Sequence, residues 1–266
     1  MATPEFPGRL IKSGETDKAL VTYLQNALRQ RGYGPFNAGQ FDTQMKAVVM
    51  TFQSQTVDVD GHSLVVDGEI GIYTWGVLFP GHSVVPESPP SNLMLQALAI
   101  ATGQVGQMEV PPGQNRGPMV DQYLRSVGID PARGTADQGD WCMSFVYWCY
   151  RAAAANLGVD TPLPRTAGCL DHWNLARQVA GASRIPAKSA YEDPSSIKPG
   201  LIFILDFGGG LGHTGIVENL LPGGRLLTIE GNTNNDGSRT GVGVFRLERR
   251  KLSDAKLKGF VDYTSV

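Results

Sequence analysis

Apolar residues recur at helical spacing in three short stretches before residue 80. The first runs from about Asp17 to Gln30, carries Ala19, Leu20, Tyr23, Leu24, Ala27 and Leu28 on the repeat, and stops at Gly32. The second runs from Thr43 to Ser54, with Met45, Val48, Val49 and Phe52 inward and Asp42 placed to cap its first turn. The third covers Ile72 to Phe79. The period then disappears: residues 81–91 carry three prolines and no repeat, and read as a linker. Beyond it, helices are predicted over Asn92–Gly106, Met119–Ser126 and Cys142–Asn156, the last stopped by Gly158. Strands are predicted at Leu201–Leu205, Thr214–Glu218, Leu226–Glu230, Val242–Leu247 and Gly259–Tyr263, with Leu221-Pro222-Gly223-Gly224-Arg225 as a hairpin connection. The expected fold is therefore α+β with an antiparallel sheet over 92–266, preceded by a small three-helix all-α domain over 1–80.

Composition narrows the function classes. The chain has 266 residues, 41% hydrophobic and 18% charged, which is enough for two modest cores. Its net charge is −2 with no lysine/arginine block, so neither nucleic acid nor an anionic membrane surface is an expected partner. The apolar runs fall short of the ~20 residues a membrane span needs. The first residues lack a basic region followed by an apolar core, so synthesis in the cytoplasm without a signal peptide is expected. Three cysteines without repeated spacing argue against a disulfide framework. There is no Cys-x-x-Cys pair and the four histidines are not at ligand spacing, so neither a metal nor another cofactor is expected.

The chemistry concentrates in Asp140-Trp141-Cys142-Met143-Ser144-Phe145, Gly212-His213-Thr214-Gly215-Ile216 and Ile229-Glu230-Gly231-Asn232. Cys142 opens an apolar helix, with Asp140 as candidate cap, and a helix N-terminus favours a thiolate. His213 starts a strand and can take the thiol proton and later protonate a leaving amine. Glu230 and Asn232 lie two apart on the next strand, where one can orient the imidazole. Gly208, Gly209 and Gly210 do not follow a nucleotide-binding pattern; they suit close approach of a substrate backbone. Trp141 and Gly212, beside nucleophile and base, are the candidate substrate-binding residues. Cys149 and Cys169 read as structural thiols, and His172 is the rival base.

The segment 8–80 resembles the small peptidoglycan-binding module attached to many cell-wall hydrolases. The likeness rests on Leu24-Gln25-x-x-Leu28, Gly32-Tyr33, Gly39-x-Phe41-Asp42, Ala47-Val48-x-x-Phe52-Gln53, Val66-Asp67-Gly68-Glu69-Ile70-Gly71 and Thr74-Trp75-x-x-Leu78. Tyr33, Asp42 and Trp75 are its candidate wall-contacting residues. Residues 92–250 resemble the CHAP family, cysteine- and histidine-dependent amidohydrolases and peptidases of papain-like fold. That likeness rests on Trp141-Cys142-x-x-Phe145-Val146-x-Trp148, Pro199-Gly200, Gly212-His213-x-Gly215-Ile216-Val217 and Ile229-Glu230-Gly231-Asn232, with Asn115-Arg116-Gly117 as lead-in. It implies Cys142 as nucleophile, His213 as base, Glu230 as orienter and Asn232 as an auxiliary polar group. Some relatives bind calcium just before the cysteine, but Asp137 and Asp140 alone are too few for a site of about 6–8 oxygens, and no obligatory metal is expected.

Together the two resemblances imply a monomeric peptidoglycan hydrolase. It would cut the bond between muramic acid and L-alanine, or one within the stem peptide or cross-bridge. Such an enzyme would act at the wall as an endolysin or as an injected antibacterial effector, the latter with an immunity protein as partner. The alternatives are a non-catalytic wall-binding protein and a cytosolic cysteine amidase for another amide.

Overall fold

The computed structural model describes residues 5–81, 84–133, 140–234 and 241–266. Asp137, and residues 82 and 83 of the expected linker, lie outside them. The chain divides into two compact units. One comprises Met1–Glu87 with Tyr191–Ser195 and Leu221–Gly224; the other comprises Ser88–Ala190, Ser196–Leu220 and Arg225–Val266. The first unit thus takes in two short segments that the sequence reading leaves in the second domain.

The first unit carries helices α1 (Lys18–Gln30), α2 (Thr43–Ser54) and α3 (Ile72–Leu78). Two aspartates start the first two by accepting from orphan first-turn amides: Asp17 from Leu20 N at 3.0 Å and Asp42 from Met45 N at 2.9 Å. The inward repeats close a core of Val21, Leu24, Leu28, Met45, Val49 and Phe52. Two buried glutamines brace the loops between helices. Gln25 Nε2 donates to the carbonyls of Asn37 and Gln40 at 2.8 and 3.0 Å, and its oxygen accepts from Gly39 N at 3.0 Å. Gln53 Nε2 donates to Asp67 and to the Glu69 carbonyl, while its oxygen accepts from Gly68 N at 2.9 Å. These are the glutamines of the Leu24-Gln25 and Phe52-Gln53 motifs: each satisfies turn backbone that the small core would otherwise strand without partners.

The second unit is α+β. Helices α4 (Asn92–Gly103), α5 (Pro118–Ser126), α6 (Cys142–Leu157) and α7 (Cys169–Ala176) precede or accompany strand β1 (Ser183–Pro186) and helix α8 (Ala187–Glu192). Strands β2 (Ile202–Gly208), β3 (Leu211–Leu221), β4 (Arg225–Thr233), β5 (Gly243–Lys251) and β6 (Leu257–Asp262) follow. The six strands form one antiparallel sheet in the order β1-β6-β2-β3-β4-β5, so β1 and β5 are its edges. Helix α6 ends as expected, with Gly158 in the left-handed region at φ 70°. The hairpin between β3 and β4 turns over Pro222–Gly224. Ile202 to Leu205 are all buried, which explains a continuous apolar run in place of an alternating one. Helix α6 packs on β4 and α7 on β2.

The sequence reading misses α7, β1 and α8. They are 8, 4 and 6 residues long, too short to repeat a pattern, and tertiary packing decides them.

Candidate active site

Helix α6 begins at Cys142, and its first intrahelical bond runs from Phe145 N to Trp141 O at 2.9 Å. The N–H groups of Cys142, Met143 and Ser144 therefore precede the bonded ladder, and their partial positive charge gathers at the thiol. Asp140 does not cap this helix: the cap position is Trp141, and no side chain bonds there. One residue further out, Asp140 Oδ1 instead accepts from Asn232 Nδ2 at 3.2 Å.

His213 lies on β3 and Glu230 on the neighbouring β4. His213 Nε2 is 2.7 Å from Glu230 Oε2, which leaves Nδ1 to serve Cys142, the thiol whose charged form His213 favours. Glycine at 215 is what makes room: a Cβ there would stand 2.7 Å from the Ile229 carbonyl and 2.9 Å from Glu230 Cγ. Glu230 is fully buried, and desolvation disfavours its charge. Four donors outweigh that. Thr228 Oγ1 and Arg250 Nε donate to Oε1 at 2.7 and 2.9 Å; Arg250 Nη2 and His213 donate to Oε2, each at 2.7 Å. The carboxyl is held far below its ordinary range.

Arg250, on edge strand β5, is a member of the site that sequence reasoning missed. Its guanidinium also stands over the Phe203 ring at 5.7 Å, and Phe203 flanks His213 with ring centroids 6.1 Å apart. An apolar floor under both cations keeps water from screening the array.

The electrostatics follow. Burial lowers the His213 imidazole, but hydrogen bonds to Cys142 and Glu230 and their charges overcome it and raise it to about 9. Cys142 is pulled down to about 5, first by a hydrogen bond from Cys169 and then by His213, against burial and the Asp140 charge. Both shifts favour a thiolate–imidazolium pair.

Cys169 corrects the sequence reading. Its Sγ lies 3.4 Å from Cys142 Sγ, and it is the first residue of α7. The two thiols start two different helices and meet tip to tip, a meeting that the linear sequence cannot display. Cys149, by contrast, sits fully buried in the body of α6, and burial raises its thiol well above the ordinary value.

Residues 134–232 match the family model described as CHAP domain, and residues 17–78 match that of the peptidoglycan binding domain. The chain thus carries a CHAP domain over residues 134–232. No curated protein and no solved structure matches the chain significantly. A CHAP domain beside a peptidoglycan-binding domain supports a peptidoglycan hydrolase acting at the cell wall. The matched span of the CHAP domain contains Cys142, Cys169, His213 and Glu230 and ends at Asn232, before Arg250.

The remaining candidate residues fall elsewhere in these domains. Trp141 is fully buried, its indole donating to Glu109 Oε1 at 2.9 Å, so it offers no face to substrate. Gly212 is closely packed beside Cys169: a Cβ there would meet the Leu205 carbonyl at 2.8 Å and Cys169 Cβ at 3.3 Å. Asn232 does not share a regular face with Glu230. It takes φ 53° where the β4–β5 register shifts, and its side chain turns to Asp140. His172 is buried on α7, depressed to about 4 by burial, with its Nε2 3.4 Å from Tyr263 OH.

In the binding domain, Trp75 is buried between Phe6 and Phe79, and Asp42 spends its two oxygens on Met45 N and Asn37 Nδ2. Tyr33 is half-exposed, its hydroxyl donating to Gln55 at 3.0 Å. Among the described residues, Asp58, Asp60 and His62 lie close enough to share a cation. Asp58 Oδ1 already accepts from the Asp60 and His62 amides, both at 2.9 Å, so the group shapes its own turn.

Proposed function

We propose that the chain hydrolyses an amide bond of peptidoglycan through a thioacyl-enzyme on Cys142. The observation that carries this reading is the grouping of Cys142, His213, Glu230 and Arg250, in which the fully buried Glu230 carboxylate binds both His213 and Arg250 while His213 favours the charged form of the Cys142 thiol. The thiolate attacks the carbonyl carbon, and the free first-turn amides of α6 face the developing oxyanion. The His213 imidazolium, held by Glu230, gives its proton to the departing amine. Neutral His213 then takes a proton from water, which attacks the thioester and frees the carboxylate and the thiolate.

The binding domain holds the enzyme on an insoluble substrate and raises the local concentration of cleavable bonds. The enzyme reaches the wall on release as an endolysin or on injection as an effector; only the second route requires an immunity protein.

Digestion of purified sacculi, followed by mass spectrometry of the soluble fragments, tests the reading. Free muramic acid carboxylates identify an amidase; new peptide amino ends on intact muropeptides identify an endopeptidase. New glycan reducing ends, or no release at all by folded protein, would remove the proposal.

A further inference from the structure

The mechanism uses one thiol, yet two stand at the site. Cys142 and Cys169 are both buried, both free, and 3.4 Å apart between sulfurs. Each is the first residue of its helix, so neither sulfur is locked inside a helix body. We infer that Cys142 and Cys169 form a reversible oxidation site: a peroxide joins them in a disulfide that consumes the nucleophile and switches the hydrolase off. This rests on Cys142 being the nucleophile proposed above.

The geometry requires little movement. The two sulfurs have to close only from 3.4 Å to about 2.05 Å, the length of a disulfide bond. The chemistry balances with hydrogen peroxide as oxidant. The Cys142 thiolate attacks one peroxide oxygen, the O–O bond breaks, and the departing hydroxide takes a proton from the His213 imidazolium. Cys142 is now a sulfenic acid. The Cys169 thiol gives up its proton as its sulfur attacks that of Cys142; the S–O bond breaks and a second water leaves. Two thiols are oxidised, and one peroxide is reduced to two waters.

The order of attack follows from the environments. Cys142, at about 5, is a thiolate at neutral pH and strikes first. Cys169 is held well above its ordinary value, firstly by its hydrogen bond to Cys142 and also by burial and the Cys142 charge. Once Cys142 is a neutral sulfenic acid, the thiolate bond and charge are gone and Cys169 is freed to resolve it. The pairing also protects the nucleophile, since a disulfide is recovered by thiols whereas a sulfinic acid is not.

The test treats fully reduced full-length protein with hydrogen peroxide and follows intact mass, peptide linkage and sacculus hydrolysis. The expected result is loss of two hydrogen masses, a cross-linked peptide pair containing Cys142 and Cys169, loss of activity, and full recovery with dithiothreitol. Cys149→Ser should behave identically. Cys169→Ser should instead gain two oxygens on Cys142 and stay inactive after dithiothreitol. Oxygen gain without hydrogen loss in the wild type, or full dithiothreitol recovery in a folded Cys169→Ser protein, would overturn the inference. Peptide linkage in the wild type decides the matter even if Cys169→Ser does not fold. The linkage readout is independent of turnover: a disulfide found in a protein whose Cys142→Ala variant still digests sacculi removes the nucleophile assignment and leaves the oxidation site standing.

Discussion

Arg250 closes on Glu230 as a fork, with Nε 2.9 Å from one carboxylate oxygen and Nη2 2.7 Å from the other. The pair spans neighbouring strands β4 and β5 and fixes the carboxylate on which His213 leans. Arg250→Ala should therefore destabilise the fold by about 3 kcal/mol, because it strips a buried carboxylate of its two-pronged counter-charge. It should also lower kcat. Arg250→Lys keeps the charge but not the two-pronged geometry and should recover only part of either loss. Thermal unfolding and sacculus hydrolysis read the two effects separately.

Glu230→Gln is far from a mild change. Both carboxylate oxygens accept from Arg250, so whichever way the amide turns, its NH2 faces an Arg250 donor. If it faces His213 as well, it enforces the wrong tautomer. We expect a fall in kcat of roughly 10²–10⁴-fold. His213→Ala should be worse, since it removes proton transfer from both half-reactions. Near-wild-type turnover by folded Glu230→Gln would show that His213 is oriented by something else.

The pH profile of kcat/KM should be a plateau between two limbs. Below about 5, Cys142 protonates and attack stops. Above about 9, His213 loses the proton owed to the leaving amine. Cys169→Ala removes the leading cause of the low Cys142 value, so the acidic limb should move up while the basic limb changes less. An acidic limb unmoved by Cys169→Ala would separate the second thiol from the ionisation of the first.

Cys142→Ala should abolish hydrolysis while sacculus pull-down survives, because binding resides in another domain. The expected loss is several powers of ten, on the scale of about 10⁶ for a serine-protease nucleophile. Clearing of sacculi at a near-normal rate would end the assignment.

Gly231→Ala tests the seating of the nucleophile helix. An added Cβ would stand 2.7 Å from Phe145 Cβ and 2.8 Å from Trp141 Cζ3, against the first turn of α6. Overpacking of this kind costs about 1–3 kcal/mol. Activity should fall by more than the loss of folded protein accounts for, because the displaced turn carries Cys142. Calorimetry beside single-turnover rates distinguishes the two.

Much of this was legible in the chain. The capped helices of the first unit announce themselves, since Asp17 and Asp42 act locally and their apolar repeats are long enough to count. Cys142, His213 and Glu230 could be ordered along helix and strands because Cys142 opens α6 and the other two lie within β3 and β4 beside recognisable flanks. Cys169 and Arg250 could not. Cys169 lies on an eight-residue helix whose position is set by packing on β2, and Arg250 reaches Glu230 across a register shift that no periodicity encodes. Asn232 leaves the face of Glu230 for a related reason: the alternation rule fails where β4 takes a left-handed residue.

The charge series also has a direction. It starts on a helix packed against the sheet, crosses β3 and β4, and ends on edge strand β5, whose outer side is paired by residues 106–109 at its start, around Gly243 and Val244, far from Arg250. Arg250 thus anchors the array from the rim, where main-chain hydrogen bonds exchange with solvent soonest. Local fraying of that rim would loosen Glu230 and the imidazole without unfolding the core beneath. We expect activity to fall silent before the domain melts, so that one border strand sets the useful temperature range; activity and calorimetry followed along the same temperature scale check this.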